Sequence, residues 1–365
     1  MSITPLRPLR NLLATKMGIA ALVAQKLGAS RVAAGASPPL TPLNGFGSNP
    51  GALLAYSFVP PGLPPGAALV VVLHGCTQDA AGYNLGAGWS TLAERHGFAV
   101  LFAEQPRANN LNGCFNWFQA ADIARTGGEA ESIAQMTTHM VHQHSLNAAR
   151  VGVTGLSAGG AMVSVMLATY PELYQGGAII AGLPYGSADG VATAFQAMGG
   201  RVTHTAAAWA DMVRQAGPRS PVPGKSPPTV QIWQGTADTT VRPAVADELV
   251  KQWTALHRLP SEPTIKDSVD GADHRAWKRD GRTLVELYVV PGLQHGTPLQ
   301  TAAADADHAI GHAGPHMLTT SISSTWHIAQ SWGLLTQASA PARAAPTAPN
   351  ASLTGVLRRA GLLRL

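Results

Sequence analysis

The run Val151-Gly152-Val153-Thr154-Gly155-Leu156-Ser157-Ala158-Gly159-Gly160 sets a serine inside Gly-x-Ser-x-Gly. A β-branched stretch precedes it, and the helix-compatible stretch Ala161 to Thr169 follows until Pro171 stops it. That is the strand–turn–helix context in which a serine acts as a nucleophile. Gly155 and Gly159 keep side chains out of a turn too tight for a Cβ on either side of Ser157. The helix N-terminus behind the serine favours the negative charge that develops there. The pentapeptide is weak alone in a chain with 39 glycines, and its context makes it a signal.

A serine hydroxyl is a poor nucleophile at neutral pH. It needs a base, and the base needs an acid to orient it. On an α/β-hydrolase scaffold these follow as Ser, then Asp or Glu, then His, each in a loop after a strand. The segment Gln231-Ile232-Trp233-Gln234-Gly235-Thr236-Ala237-Asp238 supplies a carboxylate after a β-rich run and a glycine turn. His295 follows the strand-like run Leu284 to Val290 and the loop Pro291 to Gln294, where the base belongs. His308 and His312 are the competing candidates, and with His316 they also read as a polar loop. Together with Asp305 and Asp307 these histidines permit a metal site, but nothing in the spacing forces convergence, so no metal is expected. His139, His142 and His144 fit a solvated helix face. His74-Gly75-Cys76 ends another strand-like run, so the amides of Cys76 and Ala158 are the expected oxyanion donors. Cys76 and Cys114 are the only cysteines, and each fits either a buried thiol or a bridge.

These residues need elements to hold them. At 365 residues, with 45% hydrophobic and only 12% charged residues, the chain is long enough for one large globular domain. Strand-like runs at 52–59, 68–73, 97–103, 151–154, 177–181, 229–233 and 284–290 alternate with helical spacing at 90–96 and 126–145. This predicts an α/β fold, a mostly parallel central sheet with helices on both faces. The net charge of +5 is uneven. No acid occurs before Asp79 or after Asp307, and nine basic residues lie in those ends, which leaves a net of −4 between Asp79 and Asp307. A folded body without excess positive charge argues against a nucleic-acid partner. No apolar run approaches the length of a membrane span.

Three segments are expected. Residues 1–45 form an N-terminal accessory or targeting segment: Arg7, Arg10 and Lys16 precede the short apolar run Met17 to Ala24, while Asn11 to Leu27 fits an amphipathic helix. Residues 46–335 form the catalytic domain. Residues 336–365 form an Ala/Pro-rich linker and a short basic tail suited to surface or granule contact.

As a set, the motifs resemble the polyhydroxybutyrate depolymerase family of esterases, α/β-hydrolases related to feruloyl and acetylxylan esterases. The resemblance runs through Leu73 to Gln78, Cys114 to Phe118, Gly128 to Ile133, Gly155 to Gly160, Gly182 to Gly186, Gly235 to Val241 and Pro291 to Gly296. It implies Ser157 as nucleophile, His295 as base and Asp238 as its partner, with no cofactor. It also implies oxyanion donors at Cys76 and Ala158, a Cys76–Cys114 disulfide, and Trp117, Tyr185 and Gln78 at the substrate. The implied function is serine ester hydrolysis, on polyhydroxyalkanoate or its oligomers. Feruloyl, acetylxylan or small-molecule esters are the alternative, where Trp117, Tyr185 and Trp233 would shape the groove. A second class of reading is a non-catalytic granule- or polymer-binding protein on the same scaffold. A disulfide fits an extracellular or periplasmic location; the alternative is cytoplasmic and granule-associated.

Overall fold

In the computed structural model the described residues are 37–218, 226–302 and 308–335. The expected N-terminal helix, the Ala/Pro-rich linker, the basic tail and Asp305 and Asp307 lie outside them.

The chain runs β1 (Thr41–Pro42), β2 (Leu54–Phe58), β3 (Leu69–Leu73), α1 (Ala80–Ala87), α2 (Trp89–His96), β4 (Ala99–Glu104), α3 (Gly128–Gln143), β5 (Val151–Leu156) and α4 (Ala158–Thr169). It continues through β6 (Gly176–Ile180), α5 (Val191–Met198), α6 (Ala206–Ala216), β7 (Thr229–Gly235) and α7 (Ala244–Leu256). Last come β8 (Ile265–Val269), β9 (Ala272–Arg279), β10 (Arg282–Val290), β11 (Thr297–Leu299), β12 (Met317–Thr319) and α8 (Ser324–Ser331). Ten strands make one sheet in the order β1-β2-β4-β3-β5-β6-β7-β10-β9-β8. The pairs from β4 to β10 through β3, β5, β6 and β7 are all parallel, and the outer pairs are antiparallel.

A parallel strand covered on both faces is apolar throughout. In β3 every residue is buried: Leu69, Val71 and Leu73 join one core, Val70 and Val72 the other. The first core packs α3, α4, α6 and α7 on the sheet through residues such as Ile133, Met162, Val213 and Trp253. The second packs α1, α2 and α8 on the opposite face, with Tyr83, Leu92 and Ile328 among its members.

Strands β8 and β9 carry no apolar run that would mark them in the sequence, since their residues are mostly polar. In β9, Ala272, His274 and Ala276 are buried while Asp273 and Arg275 are exposed, the period-two alternation of a half-buried strand. Two Asp-Gly turns bracket it. Asp270 and Gly271 have φ of 51° and 85°, and Asp280 and Gly281 have φ of 51° and 75°. Positive φ at both central residues is what a tight hairpin turn requires. Both sheet margins are unattractive for further pairing: β1 has two residues, one of them Pro42, and β8 exposes Lys266 and Asp267.

All twelve residues of α4 are buried, and the helix starts directly beneath the end of β5. A Cβ on Gly159 would lie 2.2 Å from the Leu73 carbonyl oxygen and 2.5 Å from that of His74. Gly159→Ala should therefore force α4 off the sheet at a cost of about 1–3 kcal/mol. Thermal unfolding should show a Tm several degrees lower. An unchanged Tm would mean that the helix and β3 can spread freely at this crossing.

Candidate active site

Ser157 occupies the single residue between β5 and α4, with φ 58° and ψ −118°. Its N–H donates to the Ile180 carbonyl at 2.9 Å, and its own carbonyl accepts from Ala161 at 2.8 Å. The backbone is thus pinned from both sides in a conformation that a side chain ordinarily avoids.

The Ser157 hydroxyl lies 2.9 Å from His295 Nε2, and His295 Nδ1 lies 2.8 Å from Asp238 Oδ2. Asp238 is 1% exposed. Its other oxygen, Oδ1, accepts the N–H groups of Thr240 at 2.8 Å and Val241 at 2.9 Å. With the ring proton on Nδ1, His295 donates to Asp238 and leaves Nε2 to accept from Ser157. Three residues separated by 138 positions in sequence thus form one hydrogen-bonded line. The competing histidines do not join it. His308 packs edge-on against Trp326 at 4.0 Å between ring centroids, and the His312 amide bonds the Gly86 carbonyl. Among the described residues no group of three or more His, Cys, Asp or Glu side chains is placed to hold a metal ion.

His316 lies, as expected, in a connecting segment, the turn before β12, and from there it also contacts the site. Its Nδ1 donates to the His295 carbonyl at 3.0 Å, and the two rings meet edge to face at 5.7 Å. Its φ of 59° and the parallel β11–β12 pairing that follows it put the ring there. No motif in the sequence marks this contact.

The turn after β3 carries Cys76. Gly75 N–H donates to Gln78 Oε1 at 2.8 Å, and Thr77 N–H to the Asn112 carbonyl at 2.7 Å. Cys76 and Cys114 are disulfide-bonded with Cα atoms 4.2 Å apart. Ala158 is the first residue of α4, so its amide is a first-turn donor with no carbonyl one turn back.

A buried polar network lies behind this turn. His74 Nδ1 donates to the Gly75 carbonyl at 2.8 Å, and His74 Nε2 accepts the Gln105 N–H at 3.1 Å. Burial lowers the His74 pKa and keeps the ring neutral, the form these two bonds require. The Gln105 carboxamide donates to the Cys114 carbonyl at 3.1 Å and to Glu129 Oε1. Glu129 Oε2 accepts the Asn116 N–H at 2.8 Å. Glu129 is 1% exposed, and burial above all pushes its carboxyl up to about 8.

The expected substrate residues are placed unevenly. Trp117 is 7% exposed and packs edge-on against Phe118 within the core. Tyr185 is half-buried, its backbone clamped by Gln252, which accepts the Tyr185 N–H and donates to its carbonyl, both at 2.9 Å. The Gln78 carboxamide is engaged inside the turn it follows. Trp233 does not shape a groove: it is 1% exposed and stacked flat on Tyr288 at 4.0 Å, because its position in β7 points it into the α8 side of the sheet.

The family described as Esterase PHB depolymerase matches residues 54–263, more than half of the chain. Poly(3-hydroxyalkanoate) depolymerase C of Paucimonas lemoignei is 43% identical over 297 residues, covering 81% of this chain and 70% of that protein. Feruloyl esterase B of Neurospora crassa is 30% identical, over 73% of this chain and 91% of that one. Among solved structures, the acetyl xylan esterase from Aspergillus awamori superposes with a TM-score of 0.65 at 27% identity, covering 71% of this chain and 94% of that chain. With the ten-stranded sheet and the serine elbow, these similarities place the chain in the PHB depolymerase family of esterases, carboxylic ester hydrolases of the α/β-hydrolase fold.

Proposed function

We propose that the chain hydrolyses the ester bonds of a polyhydroxyalkanoate, or of its oligomers, through an acyl-enzyme on Ser157. The observation that carries this reading is the hydrogen-bonded line from Ser157 through His295 to Asp238. The similarity to poly(3-hydroxyalkanoate) depolymerase C supports the choice of substrate.

In the first half-reaction His295 Nε2 takes the Ser157 proton as Oγ attacks the ester carbonyl. The imidazolium then returns the proton to the departing alkoxide, and the alcohol leaves. Water attacks the acyl group in the same way, and Ser157 is regenerated with the free acid as product. Asp238 holds the Nδ1–H tautomer and stabilises the charged ring. The amides of Cys76 and Ala158 receive the oxyanion of each tetrahedral intermediate. Gly75, Thr77 and the disulfide fix the Cys76 amide, and the neutral His74, backed by Gln105 and Glu129, positions that turn from behind.

A feruloyl or acetylxylan ester is the second reading, favoured by the similarity to enzymes so named. The catalytic domain is residues 46–335, with β1 at Thr41–Pro42 as an added strand on its edge. The disulfide favours an extracellular or periplasmic location. No helix among the described residues is long and apolar enough to cross a membrane.

Release of soluble 3-hydroxybutyrate from amorphous poly(3-hydroxybutyrate) tests the reading. Wild type should release it and Ser157→Ala should not, while keeping the wild-type Tm. No release, with a short p-nitrophenyl ester still cleaved, would assign the enzyme to small or plant-derived esters. Asp238→Asn should lower kcat by about 10⁴, as loss of the correct tautomer does in serine proteases; a loss below tenfold would move the acid role elsewhere.

Glu129 gives a pH dependence of stability. Unfolded, its carboxyl titrates near 4.5; folded, near 8. Between these values the unfolded chain binds fewer protons, so this group makes stability fall as pH rises. Glu129→Gln should flatten that decline, read as Tm against pH from 5 to 8. An identical slope in the two proteins would show that Glu129 ionises in the fold at its ordinary value.

A further inference from the structure

Gly314 and Met317 close a tight turn through two backbone bonds: the Gly314 N–H donates to the Met317 carbonyl at 2.9 Å, and the Met317 N–H to the Gly314 carbonyl at 3.0 Å. Pro315 and His316 are its central residues, and His316 has φ 59°. Proline followed by a residue of positive φ is the pattern of a type II turn, whose second central position favours Gly or Asn. A histidine there is strained relative to glycine, and strain of this kind gathers where it places a group for use. Here the group is an imidazole beside another imidazole. His316 Nδ1 donates to the His295 carbonyl at 3.0 Å, and the two rings cross at 78° with centroids 5.7 Å apart. The same two segments are joined again by the Thr297 N–H, which donates to the His316 carbonyl at 2.8 Å. Between those bonds a Cβ on Gly296 would lie 2.8 Å from the His316 carbonyl oxygen, so the backbones approach as closely as glycine permits. Pro315 reaches the other half of the site. Its carbonyl oxygen lies 3.5 Å from Gln78 Nε2, and Oε1 of that carboxamide accepts the Gly75 N–H in the turn that carries Cys76. Two consecutive residues thus reach both the base loop and the oxyanion turn.

We propose that His316 is a positioning residue for ester hydrolysis, clamping His295 in line with Ser157 from the turn that spans the base loop and the oxyanion turn. The proposal rests on the acyl-enzyme reading above and deepens it. Asp238 holds His295 at Nδ1, which fixes one point of the ring and leaves its tilt free. The ring must take a proton from Ser157 Oγ and then hand it to a leaving oxygen at a different position, so drift of the imidazole is costly. His316 restrains that drift in two ways: its bond holds the main chain of His295, and its ring stands edge to face against the His295 ring. It acts through His295, as the Asp238 carboxylate does from the other side.

The test is steady-state hydrolysis of p-nitrophenyl butyrate by the full-length His316→Gly and His316→Asn variants, with Tm measured in parallel. Glycine relieves the strained φ while removing the ring, so Tm should stay within a few degrees of wild type. Its kcat should fall by about tenfold or more, with KM changed by less than about twofold. Asparagine tolerates the same backbone region and sets an amide N–H where Nδ1 stands, so His316→Asn should recover most of the lost kcat. A glycine variant with wild-type kcat would overturn the proposal. So would a loss confined to KM, or equal kcat in the glycine and asparagine variants. Ser157→Ala in the same assay scores the acyl-enzyme reading separately. Inactive Ser157→Ala beside fully active His316→Gly would keep that reading and discard the clamp. An active Ser157→Ala would discard both.

Discussion

The site depends on the close crossing of three backbone segments: the end of β3, the end of β5 and the first turn of α4. A Cβ at Gly155 would lie 2.7 Å from both the Gly159 carbonyl and that of Leu73, and one at Gly159 would be nearer still to Leu73. With no Cβ in the way, α4 begins against the sheet, and Ser157 is forced into φ 58° to make the connection. Such a conformation costs about 1–3 kcal/mol, and it persists because strand pairing and helix burial both oppose its relaxation. The same crossing brings the Ala158 amide and the turn carrying Cys76 to neighbouring strand ends, since β3 and β5 are paired in register from Leu69 with Val151 to Leu73 with Gly155. Candidate nucleophile and candidate oxyanion donors are thus consequences of one packing contact.

The remaining groups are held by a different principle. Asp238 is buried, and it accepts two backbone amides and a histidine. Glu129, equally buried, has fewer compensating donors and a neighbouring carboxylate in Asp122, so its proton is held to about 8. The backbone around Asp238 turns its amides inward, whereas the surroundings of Glu129 offer one backbone amide and one side chain.

Much of this was legible in the sequence because each informative residue carried its own context. Ser157, Asp238 and His295 each follow an apolar run that ends in a glycine-containing turn, and the structure joins them in the expected order. The parallel core strands were readable for the same reason: burial on both faces leaves little but Val, Leu, Ile, Ala and Gly. What was missed obeys a different rule. The strands β8 and β9 bury only alternate positions and fill the others with charge, although Asp270-Gly271 and Asp280-Gly281 marked their hairpins in plain view. His316 touches His295 through tertiary folding across 21 residues, which no local pattern records. Trp233 stays ambiguous in sequence because an aromatic residue near a site reads alike whether it faces substrate or core; only its register in β7 decides.

The blunted sheet margins have a meaning wherever copies of the chain crowd together. At high local concentration neighbours meet side by side far more often than in dilute solution. Under that crowding, an open strand would template pairing between copies and lock them into aggregates. A two-residue strand containing Pro42 at one margin and a charged strand bearing Lys266 and Asp267 at the other deny such contacts a register. Crowded copies can then stay separate, and each keeps its own Ser157 accessible.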